Sequence, residues 1–435
     1  SIGTIEGKVT VGASANSSTG IGVYSDGSST RTTFQGNNAE LTLGTGTVGL
    51  YSSKASDFGN VFTINKLKTS IGDGAVFAYF GNTGNTTDDT VNITNTTLQN
   101  LTVSSMGTNS AIFYGAKNTT ININGNITAD STKFSNINDS AQFLVSDNGI
   151  VNINSGKTLT SELKTTISGL NGATVTNEGT LALTGKDGAV GIYSNASTAT
   201  NSGTLTTNNQ SSIGIYGKWF STLTNNNVIT TSGNKSVGIF AENSTVENKG
   251  ANGKITAKGT QSAGIYGMGS IITNEKEIIT EETGSAGIYA NDSDVTNKST
   301  GKITIQKGSS AGIYATSTSM KNVTNDGDIE VGLAGSSEIK GVGIYAGGYQ
   351  NVEHNGNINI HMGNSIGIYG EGENVSIENK NKITSDASVS SVIGIMADKA
   401  KVSNLIGSEI KLQGKDSVGV YGINESEIEN SGSIL

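Results

Sequence analysis

Apolar and polar residues alternate in short runs along this chain, and the runs return at a nearly fixed spacing. Val91-Asn-Ile93, Ile121-Asn-Ile-Asn-Gly-Asn-Ile127 and Val151-Asn-Ile153 stand 30 residues apart and alternate strictly. Strict alternation marks a half-buried strand, because successive side chains point to opposite faces. The most regular run is the phrase Ser-Ala-Gly-Ile-Tyr at residues 262–266, 285–289 and 310–314, with relaxed copies at 236–240, 365–369 and 417–421. Its glycine falls at Gly191, Gly214, Gly238, Gly264, Gly287, Gly312, Gly343, Gly367, Gly394 and Gly419, in steps of 23 to 31 residues. A near-constant period with drifting turn lengths is the signature of stacked repeats.

Each period holds two further parts. One is Val/Ile-x-Asn, ending at Asn177, Asn248, Asn274, Asn297, Asn325, Asn379 and Asn430. The other is often Gly-x-Ile, as in Gly253-Lys-Ile255, Gly301-Lys-Ile303, Gly327-Asp-Ile329 and Gly356-Asn-Ile358. Three short strands and three turns in roughly 25 residues make one triangular coil, and stacked coils pair each strand with its copy in parallel. The expected fold is all-β, a right-handed parallel β-helix of about 16 coils. Residues 175–435 carry the regular repeat. Residues 1–174 form an irregular section of the same continuous domain, with copies at Gly22-Val-Tyr24 and Gly49-Leu-Tyr51, a degenerate one at Ala75–Tyr79, and a loop insertion over 81–89.

Faces follow from parity. Ala263, Ile265 and Gly267 should point inward, and Ser262, Gly264 and Tyr266 outward. The outer face then carries a stripe of Tyr193, Tyr216, Tyr266, Tyr289, Tyr314, Tyr345, Tyr369 and Tyr421, with Phe240 and Met396 in line. Such a stripe suits sugar or protein contact, or simply stacks on itself and shields the backbone. The asparagines, with Asn201, Asn225 and Asn404, should form a buried ladder in which each amide donates to the carbonyl of the next coil. His354 takes the asparagine slot of its coil and is expected to be structural. His361 has no companion but His354, whereas a metal site needs several ligands.

Composition narrows the function. Sixty glycines, no proline, no cysteine and only 34% hydrophobic residues argue against a helical or doubly wound enzyme fold. The absence of cysteine excludes disulfide scaffolds and thiolate metal sites. Net charge is −9 and Arg31 is the sole arginine, which excludes the basic stripes that nucleic acid binding requires. The chain begins and stops in mid-pattern without a signal peptide, and is read as a piece of a longer protein. Neither histidine accompanies a Gly-x-Ser-x-Gly nucleophile elbow, and no phosphate loop or calcium nonapeptide occurs. Asp88-Asp89 is a carboxylate pair in a polar loop, read as a solvated turn. No catalytic residue, cofactor or metal is expected.

Two features break the repeat. Trp219-Phe220 stands where other coils carry small polar residues, and Trp219 is the only tryptophan. Paired aromatics on a polar surface suit an anchor for a glycan or protein, or a cap on a neighbouring loop. The coil from Gly312 to Gly343 is the longest at 31 residues, and its extra residues, near 334–340, should bulge beside Gly347-Gly-Tyr349. Trp219, Phe220 and Tyr349 are therefore the candidate binding residues.

Repeated Gly-Ile-Tyr phrases with Asn-x-Gly-x-Ile strands, in a chain rich in Asn, Lys and Ile and free of Pro and Cys, resemble the passenger domains of large fusobacterial type V autotransporter adhesins, the RadD-like proteins and their galactose-binding relatives. The match covers 175–435 well and 1–174 loosely. The resemblance implies secretion across the outer membrane and display on the bacterial cell surface. It implies attachment to a host cell-surface glycan or protein receptor, or to other bacteria. Membrane contact would come only through a C-terminal barrel that this sequence lacks, and a monomer is expected. No binding residue carries over, since the matching repeats are scaffold. A passive stalk and a β-helical polysaccharide lyase or hydrolase are the competing readings; the latter needs acids from adjacent coils converging in a groove.

Overall fold

The computed structural model describes residues 2–13, 19–26, 31–53, 58–81 and 89–435. It is a parallel β-helix of about 16 coils and roughly 25 residues per coil, as the period implies. The chain forms two compact units, residues 1–209 and 210–435.

One coil of the second unit shows how the sequence makes the fold. The phrase strand Ala263–Met268 turns at Gly269, with φ of 60°, into the asparagine strand Ile271–Asn274, and a tight turn leads to the third strand Glu277–Thr280. Each strand pairs in parallel with its copy in the next coil: Ile265 with Ile288, Ile272 with Val295, Ile278 with Ile303. One isoleucine or valine per strand meets the others on the axis, where all are fully buried. Burial of each stabilises by about 1.5–3 kcal/mol relative to exposure, and stacking repeats that gain at every coil.

Parity fails at two positions. Ser262 is buried, its hydroxyl bonded to Ser236 N and the Gly233 carbonyl. Gly264 does not face outward. A Cβ on it would lie 2.4 Å from Ile278 Cγ2 and 2.7 Å from the Gly287 carbonyl oxygen. Gly238, Gly287, Gly312, Gly343, Gly367 and Gly394 repeat this contact, each against the third-strand isoleucine of its coil and the next glycine carbonyl. The pleat is interrupted there in every coil alike: register is kept, but no bridge forms between Gly264 and Gly287, and pairing passes from Ala263 to Ile265. The glycine of the phrase and the isoleucine of Gly-x-Ile are thus two halves of one contact.

The first unit reaches the same fold with different filling. Ala111–Gly115 and Gln142–Asp147 occupy the phrase face, as their spacing implies. Val91, Ile121 and Val151 are in register on the asparagine face, where Ile123, Ile153 and then Asn177 share one slot. Phe58, Phe62, Phe80, Phe113 and Phe143 fill the interior, with ring centroids 5.6–6.4 Å apart. Short helices at Phe58–Val61 and Asn95–Leu98 occupy its longer turns.

Candidate functional site

The inner polar groups answer to the scaffold. Asn225 donates to Asn248 Oδ1, Asn248 to Asn274, Asn274 to Asn297 and Asn297 to Asn325, each at 2.7–2.8 Å. The acceptor is the next side-chain carbonyl, while backbone carbonyls such as that of Lys276 take the second amide proton. Serines form two more ladders at the corners. The phrase serine accepts from the backbone of the coil before it, as in Ser262 N to Ser285 Oγ at 3.2 Å. Ser244, Ser270 and Ser293 do the same at the corner before the asparagine strand.

His354 is buried in the asparagine ladder, as its slot implies. Asn325 donates to its Nδ1 at 3.1 Å, so the proton sits on Nε2, which donates to the Lys382 carbonyl at 3.1 Å. Burial pushes its pKa down to about 4, and the ring is neutral at pH 7. That bond bypasses Asn379, whose Oδ1 is left without a hydrogen bond.

His361 does have companions. Its Nδ1 lies 2.7 Å from Asp386 Oδ2 and its Nε2 2.9 Å from Glu330 Oε2, on the coils either side. Burial works against its charge, but the bonds to Asp386 and Glu330 prevail and hold its pKa above the ordinary histidine value. Glu330 also takes Lys302 at 3.3 Å and the Asn359 amide at 3.3 Å. Burial opposes the charge of Glu330 as well, yet these partners keep its carboxyl below the usual range. The cluster edges an open groove of about 410 Å³ beside Leu333 and Ala334. Acids from adjacent coils therefore do converge. However, an imidazolium that donates both N–H groups has no lone pair to act as a base, and its two carboxylates are already compensated. The repeat places His361 and Asp386 in one slot, just after the third strand, but Glu330 reaches them from two positions earlier in the coil before, which the period alone does not show. Among the described residues no group of three or more His, Cys, Asp or Glu side chains could hold a metal. Asp88 and the side chain of Asp89 lie outside the described residues.

The tyrosines line the outside, half-buried. Phe240, Tyr266, Tyr289, Tyr314 and Tyr345 stack nearly parallel with centroids 4.5–4.9 Å apart. Each inner ring spends both faces on its neighbours, so a sugar meets only edges. Tyr345 ends the parallel run by donating to Glu371 at 2.6 Å, and Tyr369 meets it edge-on. Burial, then the Glu371 bond, raises the Tyr345 pKa well above the tyrosine norm.

Trp219 and Phe220 form the corner between Ile213–Lys218 and Thr222–Asn225. Both have left-handed backbones, with φ of 54° and 65°. Equivalent corners place Ala196, Asn243, Gly269, Asp292 and Lys399 in that conformation, and Asn424-Glu425 repeats it at both positions, so the turn belongs to the scaffold and only the aromatic side chains are unusual. Trp219 is 51% exposed and Phe220 86%, so neither ring is tucked against a loop. Backbone bonds hold the turn: Phe220 N to Asn243 O at 2.8 Å and Ser221 N to Ser244 Oγ at 3.2 Å.

Tyr349 is exposed too, after Gly348, in the strand Val342–His354 that runs through the same kind of corner. The long-coil bulge does not lie beside it. Residues 334–340 fall one corner away, between Asp328–Val331 and Val342–His354. Glu338 pins them through Lys307 Nζ at 3.0 Å and Gly308 N at 3.3 Å. The repeat places its extra residues after the third strand, whereas Tyr349 follows the phrase.

No family model matches the chain, and no curated protein sequence matches it significantly. Similar solved structures include two that cover most of the chain. One, from the Vag8–C1 inhibitor complex, is 14% identical with a TM-score of 0.43, covering 99% of this chain and 100% of that one. The other, the A-module of the Azotobacter vinelandii mannuronan C-5 epimerase AlgE6, is 14% identical with a TM-score of 0.31, covering 92% and 91%. At that distance the likeness concerns the fold, and function is left to the side chains.

Proposed function

We propose that this chain is the surface-displayed β-helical passenger of a bacterial autotransporter adhesin, secreted across the outer membrane. It attaches to host cells or to other bacteria through a glycan or protein receptor. The observation that carries this reading is the exposed Trp219-Phe220 pair. The scaffold does not need aromatic rings there, since equivalent corners are built with Ala196, Asn243, Gly269, Asp292, Lys399 or Asn424-Glu425. It holds two bulky side chains outward on backbones that cost of order 1 kcal/mol or more each. A passive stalk gives no reason to keep such a pair. The His361 cluster does not favour an enzyme, because its groups neutralise one another.

The test is attachment of beads coated with the purified chain to epithelial cells and to other bacteria. Trp219→Ala is expected to weaken attachment about 30-fold, the consequence of losing an anchor worth about 2 kcal/mol. Tyr349→Ala should weaken it to a smaller degree. Beads that never attach to either surface refute the adhesin and leave the stalk.

A further inference from the structure

The two aromatics are not isolated. In the second unit the corner between phrase and asparagine strands carries Trp219, Phe220, Met268, Ile271, Met320 and Tyr349, each more than a third exposed. Register keeps these corners in line. Met268 pairs with Asn291, Ile271 with Asp294, Ser317 with Gly348 and Lys321 with Gln350. From the coil of Trp219 to that of Tyr349 is five steps, about 24 Å at roughly 4.8 Å per coil. The apolar corners alternate with acidic ones along this edge: Glu242 lies beside Met268 on one side, and Asn291 and Asp294 lie beside Met268 and Ile271 on the other.

The rim has a sign. Within this span Glu242, Asp292 and Asp294 stand against Lys218 and Lys321, three negative charges and two positive, a balance of −1, and the next coil adds Glu371 and Glu373 at the same corner. Lys321 is already engaged by Asp294 at 3.6 Å. The Thr318 backbone N–H, 2.7 Å away, holds the Asp292 carboxyl below the usual range, and Glu371 accepts from the Tyr345 hydroxyl.

We infer that this corner docks an extended protein segment in which apolar side chains alternate with Lys or Arg. The inference rests on the adhesin reading for its biological setting and specifies the partner. Met and aromatic residues are the side chains enriched at protein interfaces, and thioethers adapt to irregular apolar surfaces. A glycan seeks ring faces and convergent polar groups, but Met268, Ile271 and Met320 offer neither. The acidic rim selects a basic partner and speeds its encounter. About seven extended residues span the edge at roughly 3.3 Å each.

The probe is a synthetic 14-residue peptide of alternating leucine and lysine, titrated onto the full chain by fluorescence polarisation. Controls replace every lysine by glutamate or every leucine by serine, and cellohexaose serves as a sugar probe. The Leu/Lys peptide should bind, and weaken as salt screens the rim. Trp219→Ser with Phe220→Ser should weaken it about 30-fold and Glu371→Gln with Glu373→Gln several-fold. Ile150→Ser, an exposed site in the first unit, should change nothing. All these side chains are exposed, and an unchanged melting transition verifies the variants. Equal affinity for the Leu/Glu or Ser/Lys peptide, an unaffected aromatic variant, or saturable cellohexaose binding at the same residues overturns the inference. Cell attachment separates the two readings. Loss after protease treatment of the target cells supports a protein partner, and loss after periodate oxidation instead overturns it while the adhesin stands. Beads that never attach remove the adhesin, and the peptide result still decides the docking edge.

Discussion

Replacing His354 by asparagine should stabilise the second unit, and more so in acid. At pH 7 the ring satisfies Asn325 and the Lys382 carbonyl but leaves Asn379 Oδ1 unpaired. Asparagine in this slot can do all three tasks. In other coils its amide donates both to the next asparagine and to the first carbonyl of the third strand, as Asn248 does to Asn274 at 2.8 Å and to Glu277 at 3.3 Å. Lys382 is the equivalent carbonyl. Pairing one orphaned buried acceptor is worth about 1–3 kcal/mol, less a fraction for the smaller side chain. The acid term adds to this. The folded pKa of His354, about 4, lies below its unfolded value of 6.5. The neutral ring therefore contributes stability that is present above pH 6.5 and lost as pH falls toward 4. At 1.36 kcal/mol per unit the full loss is about 3 kcal/mol, of which about 2 has gone by pH 5. His354→Asn abolishes that loss. Stacked repeats unfold by neighbouring coils, so the readout is hydrogen exchange over residues 342–385, in parent and variant, at pH 7 and pH 5. The parent-minus-variant difference cancels the carboxylates and His361, whose opposite shift makes its contribution fade as pH rises instead. Protection that is no greater in the variant, or a difference that does not widen by pH 5, refutes the ladder argument.

Other expectations follow from the same contacts. Gly264→Ala drives a methyl group into Ile278 and a backbone carbonyl that cannot retreat, and should lower stability by about 1–3 kcal/mol in thermal melts. Asn297→Ala orphans the Asn274 donor and the Asn325 acceptor together and should cost about 1–3 kcal/mol, seen first as faster exchange in residues 271–325. Trp219→Asn with Phe220→Gly relaxes two left-handed positions and should raise stability by about 1–2 kcal/mol while attachment falls; a less stable variant means the aromatics brace the fold.

The fold was legible because a solenoid writes one contact many times. Each Ile-Tyr pair and each Val/Ile-x-Asn is weak evidence alone, but recurrence at one period fixes the three strands, the asparagine slot and the substitution by His354. The tyrosine stripe was legible for the same reason. Gly264 was misjudged because parity assumes an unbroken pleat, and the interruption appears only when the third-strand isoleucine is in place. The second serine ladder, Ser244, Ser270 and Ser293, was visible in principle as a serine two residues before each Val/Ile-x-Asn. The His361 cluster was not, because its members occupy three coils and Glu330 sits two positions before the slot that His361 and Asp386 share. The bulge at 334–340 was assigned to the wrong corner because a count of extra residues does not say which of three turns receives them.

Departures from the repeat divide by what absorbs them. His354 departs inside, where every polar atom must be bonded, and the structure answers it almost completely: two of its three neighbours are satisfied and one acceptor is left over. His361 departs on the surface and is answered by carboxylates on both flanking coils. Trp219-Phe220 departs on the surface and is answered only at the backbone, by Asn243 and Ser244, which would hold any side chain there. Nothing within the second unit repays its exposed rings for their hydration or its left-handed backbone for its strain. A drifting stalk sequence has an easy route back, because asparagine, glycine and serine at this corner relieve both costs at once. An exposed aromatic pair at a corner that the other coils fill without one is what the proposed partner contact accounts for.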